Sequence, residues 1–151
     1  MSLFLFLCCL NSPFYSSAQS ATVIASLESD FLGEDLFPEC DVVNFTITVE
    51  NVSSGTVTVD VRYGFPNFNP PEFDIVDAGG FSGPRVSGQN YLIYELQDVV
   101  LEPDEVEEFT FSAQAGAGVG DDPRTIELAV VDQSNNLLAG DQNTEVTAWA
   151  S

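Results

Sequence analysis

Val43-Asn44-Phe45-Thr46-Ile47-Thr48-Val49-Glu50 is followed, after Asn51-Val52-Ser53-Ser54-Gly55, by Val57-Thr58-Val59-Asp60-Val61-Arg62-Tyr63. In both runs an apolar residue alternates with a polar one. That period of two belongs to a strand with one buried and one wet face. Between them, Ser53-Ser54-Gly55 is turn chemistry, so the two runs read as a hairpin with a short loop.

The same alternation recurs outward from this pair. Phe109, Phe111 and Ala113 alternate with Thr110 and Ser112, and Ile126, Leu128 and Val130 alternate with Glu127 and Ala129. Tyr91–Leu96 with Val99–Leu101, a first strand over Ala21–Leu27 and a last one over about Glu145–Trp149 complete the set. Gly64 to Asn90 is rich in glycine and proline but too long for a bare loop, which predicts a short strand near Phe73–Val76. Turns fall at Glu102-Pro103-Asp104-Glu105, at Gly116–Pro123 and at Asp132–Asn136. No window carries the 3.6-residue period of a long helix. The expected fold is all-β: an Ig-like antiparallel β-sandwich of seven to nine strands, forming a single domain over residues 21–151.

Composition excludes much chemistry. The 151 residues hold 24 Asp and Glu, three Arg (Arg62, Arg85, Arg124), no Lys and no His, for a net charge of −21. Without histidine there is no Ser-His-Asp or Cys-His couple and no His-ligated zinc. Without lysine there is no Schiff base, P-loop lysine or lysine-based isopeptide link. Nucleic-acid binding works by neutralising phosphates, and this charge opposes it. Carboxylates without lysine also suit a saline setting, where screening relieves self-repulsion. A glycosidase-like pair of carboxylates is the one enzymatic chemistry left well supplied, but proximity of two among 24 is expected by chance. The expectation is a non-enzyme, with a carboxylate hydrolase as the remote alternative.

Leu3–Leu10 is apolar and too short to span a bilayer, and Ala18-Gln19-Ser20 places small residues before Ala21. Residues 1–20 therefore read as a secretory signal lacking the usual basic start, and the remainder as secreted or cell-surface with no membrane insertion. Cys8 and Cys9 would leave with it. Cys40 would then be the sole cysteine, either a small buried hydrophobe or one half of an intermolecular disulfide.

Several residues are candidates for function. Asp121 and Asp122 lie in one interstrand loop, and Asp132, Ser134 and Asn136 alternate in another. Oxygen ligands of this kind suit calcium, which makes Asp121, Asp122, Asp132 and Asn136 the candidate metal set and Ca2+ the candidate ion, while the default expectation is no cofactor. The simpler account is solvated turn residues. Glu102, Asp104, Glu105, Glu107 and Glu108 crowd one turn and read most simply as a charged strand edge that resists aggregation. Asn44-Phe45-Thr46 and Asn51-Val52-Ser53 are glycosylation sequons, of which Asn51, in a turn, is the better placed. Phe65, Phe68, Phe73 and Phe81 either close the core or present a sticky patch, the former being favoured. Trp149 could anchor the last strand or join a neighbour's sheet edge.

Phe45–Gly55 with Val57–Val61 and Pro66, then Tyr91–Leu96, Leu101-Glu102-Pro103-Asp104-Glu105 and Phe109-Thr110-Phe111, resembles the Ig-like "conserved repeat" domains of prokaryotic surface proteins over about Val42 to Asp132. Asp104 stands where that family favours glycine. The resemblance implies a non-catalytic wall-associated or secreted module for adhesion, spacing or protein–protein binding. Its partners would be a protein or glycan at the cell surface, or further copies of itself. The alternative expectation is a structural subunit that self-assembles by strand exchange or through Cys40.

Overall fold

The computed structural model describes residues 22–30, 42–67, 73–87, 91–115, 124–141 and 145–146. The expected signal at 1–20, Cys40, Phe68, Asp121, Asp122 and Trp149 lie outside the described residues. Strands β1 (Val23–Ser29), β2 (Val42–Asn51), β7 (Val106–Ala115) and β4 (Phe73–Asp77) form a four-stranded sheet in that spatial order. Strands β10 (Leu137–Asp141), β9 (Glu127–Asp132), β3 (Val57–Pro66), β6 (Tyr91–Leu101) and β5 (Ser82–Ser87) form a five-stranded sheet. All pairings are antiparallel. A small ribbon joins β8 (Arg124–Thr125) to β11 (Glu145–Val146). The all-β sandwich is thus established, with nine strands in its two main sheets.

The spatial order is that of a variable-type immunoglobulin sandwich, with a four-strand sheet facing five. The path through the middle differs. After β3 the chain crosses to the far edge of the other sheet as β4, returns as β5, and only then lays β6 beside β3.

One expectation is corrected here. β2 and β3 do not form a hairpin, because they belong to opposite sheets. Their alternation is as read: Phe45, Ile47 and Val49 on one strand and Val59, Val61 and Tyr63 on the other are all buried. Those two apolar faces look at each other across the core instead of lying side by side. β5 and β10 were not foreseen, and Tyr91–Leu101 is a single strand with Asp98 in the left-handed region (φ 57°) near its register shift.

An aromatic column crosses the core from sheet to sheet. Phe45 on β2 stacks on Phe111 of β7 with ring centroids 4.9 Å apart, Phe111 on Tyr63 of β3 at 3.8 Å, and Tyr63 on Tyr94 of β6 at 4.9 Å. Phe81 meets Tyr63 edge-on at 5.0 Å, and Phe73 meets Phe65 in the same manner at 5.4 Å. Burial of each such ring contributes about 2 kcal/mol, with a further increment from offset and edge-on geometry. Phe65, Phe73 and Phe81 therefore close the core, as favoured from sequence. The β4–β5 turn is pressed against β7: a Cβ on Gly79 (φ +65°) would lie 1.7 Å from the Thr110 carbonyl oxygen, so only glycine fits.

Candidate functional site

Two regions gather polar side chains into defined geometry. The first is the end of the sandwich where β2 crosses to β3 and β6 crosses back to β7. Asn51 sits between these crossings, 0% exposed. Its Nδ2 donates to the carbonyls of Gly55 (2.9 Å), Leu101 (3.0 Å) and Glu102 (3.0 Å), while its Oδ1 accepts from the Ser53 amide (2.9 Å) and hydroxyl (2.7 Å). The Asn51 amide donates to the Glu105 carbonyl, and the Asp104 amide donates to the Asn51 carbonyl, each at 3.0 Å. One side chain therefore fastens both crossings together. This reverses the reading of the sequons. Asn51 is sealed inside the fold, whereas Asn44 is exposed, its amide Nδ2 donating to the Asp30 carboxylate at 2.7 Å.

The expected acidic turn at 102–105 is a structured one. Glu105 Oε2 accepts from the Glu102 amide (2.6 Å), and Thr56 donates its hydroxyl to Glu102 Oε2 (2.8 Å). Glu107 and Glu108 lie opposite Val49 and Thr48 on β2, on the half of β7 that β4 does not reach, since β4 pairs only with Ser112–Ala115. That stretch is a local sheet edge, and charge there opposes lateral pairing.

Of the four candidate metal ligands, Asp132 and Asn136 are brought into one turn. Asp132 Oδ1 accepts from the amides of Ser134 and Asn136 (both 2.8 Å), and its Oδ2 accepts from Asn136 Nδ2 (2.8 Å). Those hydrogen bonds, led by the Asn136 side chain, hold the Asp132 carboxyl below the ordinary aspartate value. Asp121 and Asp122 lie outside the described residues. Among the described residues no cluster of three His, Cys, Asp or Glu side chains could hold a metal ion.

The second region is the outer face of the five-stranded sheet. Arg62 on β3 donates through Nε to Glu95 on β6 and through Nη1 to the Asn135 side chain, and lies 3.6 Å from Asp60. Arg85 on β5 reaches the same Glu95 oxygen at 3.4 Å. Two guanidinium groups thus balance two carboxylates. Glu95 and Asp60 are held further by Gln97 Nε2 (3.0 Å) and by the Asp98 amide (3.1 Å). Three of the four groups are largely screened from solvent, with side-chain exposures of 17% for Arg62, 12% for Glu95 and 14% for Asp60, while Arg85 is 55% exposed.

Beside this network the face is depressed, with a volume of about 190 Å³ lined by Arg62, Gly64, Tyr91, Ile93, Glu127 and Ala129. Gly64 makes the depression. A Cβ there would come 2.8 Å from the Leu92 carbonyl oxygen and 3.2 Å from two carbons of the Tyr91 ring, so the ring lies down over the glycine. Burial first, then the neighbouring Glu127 carboxylate, push the Tyr91 phenol well above its ordinary pKa. This region was missed from sequence. Its available signal was Gly64 itself, an isolated glycine inside a strand pattern, which marks a close approach.

No family model matches the sequence, and no curated protein matches it. Among solved structures, the major pilin subunit of Bacillus cereus superposes with a TM-score of 0.49 at 11% identity, over 85% of this chain and 40% of that one. An alkylpurine DNA glycosylase of Pseudomonas fluorescens, bound to DNA containing an abasic site analogue, superposes with a TM-score of 0.45 at 13% identity, over 85% of this chain and 31% of that one. The chain thus spans less than half the length of either structure.

Proposed function

We propose that the chain is a non-catalytic structural module of the cell exterior, one that spaces or assembles and does not transform a substrate. The observation that supports this reading is the route of the backbone. The described chain enters at the Asn51 end, where Val23 pairs with Asn51 and the Val52 amide donates to the Thr22 carbonyl. It leaves at the other end, where Asp141 pairs with Leu128 and β11 pairs with β8. A unit entered at one end and left at the other adds its long axis to any array it joins, here roughly 35 Å for an eleven-residue strand. The resemblance to surface-protein domains and the secretory character of residues 1–20 agree with a place outside the cell.

Assembly of such a unit is better served end to end than edge to edge. β4, β5 and β10, three of the four edge strands of the two main sheets, carry register shifts, and β5 contains Pro84, which has no amide to offer. Light scattering and electron microscopy on the purified full chain, reduced and unreduced, test the reading. Elongated monomers or linear multimers are expected. Turnover of any substrate in a broad glycoside panel, lost when a single carboxylate is changed to its amide, would overturn it.

A further inference from the structure

We infer that the depression on the outer face of the five-stranded sheet binds a neutral sugar, one pyranose ring of a glycan, between Arg62, Tyr91 and Glu127. The site is independent of the axial role proposed above, which stands whichever way the following test falls.

Size comes first. About 190 Å³ is below the usual range for a drug-sized ligand and is comparable to a single hexose. The floor, made by Gly64, Ile93 and Ala129, is apolar, and the half-buried Tyr91 ring continues it on one side. The rim offers both kinds of hydrogen-bonding group: the Arg62 guanidinium donates, the Glu127 carboxylate accepts, and the Tyr91 hydroxyl does either. A pyranose has the matching two-sided character, with C–H groups on its faces and hydroxyls around its edge that both donate and accept.

Charge then selects among polar ligands. The molecule carries −21, so an anion is repelled at long range. Arg62 does not compensate locally, because Glu95 and Asp60 already balance its charge, which leaves it a hydrogen-bond donor but no net positive site. A cation is drawn toward the molecule and toward Glu127, but it can make no use of the donor side of the rim, Arg62 and the Tyr91 hydroxyl. A neutral polyol escapes the anion's repulsion and uses donors and acceptor alike. The Tyr91 ring is also laid against Gly64 before any ligand arrives, so the apolar wall of the site is already in place. A second shallow depression among the described residues, about 180 Å³ between Ile24, Ala25, Ser26, Thr48 and Glu50, has no ring and only an acceptor among its charged groups.

The test is amide-resolved NMR titration of the full chain with methyl glycosides of glucose, galactose, mannose and N-acetylglucosamine, and with their short oligomers. At least one sugar should give saturable shifts centred on residues 62–64, 91–93 and 127–129, with millimolar affinity. Glu127→Gln, at an exposed position, should weaken that sugar about fivefold through one lost charged hydrogen bond while leaving the remaining spectrum in place. Tyr91→Phe should weaken it while keeping the ring. Absence of saturable shifts with every sugar, or shifts confined to other residues, would overturn the site. So would tetramethylammonium or phosphate binding there as tightly as the best sugar, or unchanged affinity in Glu127→Gln.

Discussion

Asn51 commits its two amide hydrogens to three carbonyls and its oxygen to two donors, in a place water does not reach. Truncation would strand the Leu101 carbonyl in particular, and an unpaired buried acceptor costs more than the bond it lost was worth. Asn51→Ala should therefore lower unfolding free energy by about 3 kcal/mol in urea denaturation, and Asn51→Asp, which keeps the acceptor but removes the donors, should not rescue it. Tyr63 presents the opposite case. Its ring is the centre of the aromatic column, but its hydroxyl is buried with no hydrogen-bond partner among the described residues, and burial drives the phenol pKa upward. Tyr63→Phe keeps every ring contact and removes the orphaned oxygen. It should be neutral or stabilising by up to about 1 kcal/mol in the same assay.

At the level of elements, the Asp132–Asn136 turn is held by a carboxylate, and its strength should depend on pH. The folded-state pKa of Asp132 lies below the unfolded one, so the turn's contribution is complete above the ordinary aspartate range and is lost as pH falls through the depressed folded value. The gap in urea midpoint between the parent chain and Asp132→Ala should be open near neutrality and close in strong acid. A gap constant across that range would show that the carboxylate's charge is irrelevant. This turn, the 102–105 turn and the alternation of β2, β3, β7 and β9 were legible in sequence because each is a local matter of period and turn chemistry. The partner of each strand was not. Val43–Glu50 and Val57–Tyr63 carry the same pattern whether they lie in one sheet or face each other across a core, and the difference is made by Asn51 reaching Leu101, fifty residues away. β5 was illegible for another reason: every residue of it is exposed, so it has no apolar period to read. The Tyr91 site escaped notice because its residues come from β3, β6 and β9, which only pairing brings together.

For the whole molecule the governing quantity is charge. Twenty-four carboxylates face three arginines, and at least two of those arginines, Arg62 and Arg85, are engaged in ion pairs. Self-repulsion then opposes compaction, and salt relieves it. The thermal midpoint should rise by several degrees between low ionic strength and about 1 M sodium chloride, where the screening length is roughly 3 Å. Magnesium and calcium should act alike at matched ionic strength. A rise at low-millimolar calcium that magnesium does not reproduce would instead give Asp121, Asp122, Asp132 and Asn136 a metal to hold.

The burial of Asn51 also sets an order of events in time. Its sequon is open to an oligosaccharyltransferase only while the chain is still emerging, and closed once the two crossings are clipped. A glycan attached at Nδ2 in that interval would occupy the nitrogen the clip requires and leave the two crossings unfastened. The sequence is thus suited to a host that lacks this modification, or to a chain that folds before the enzyme arrives. Production in a glycosylating secretory pathway would select against its own product.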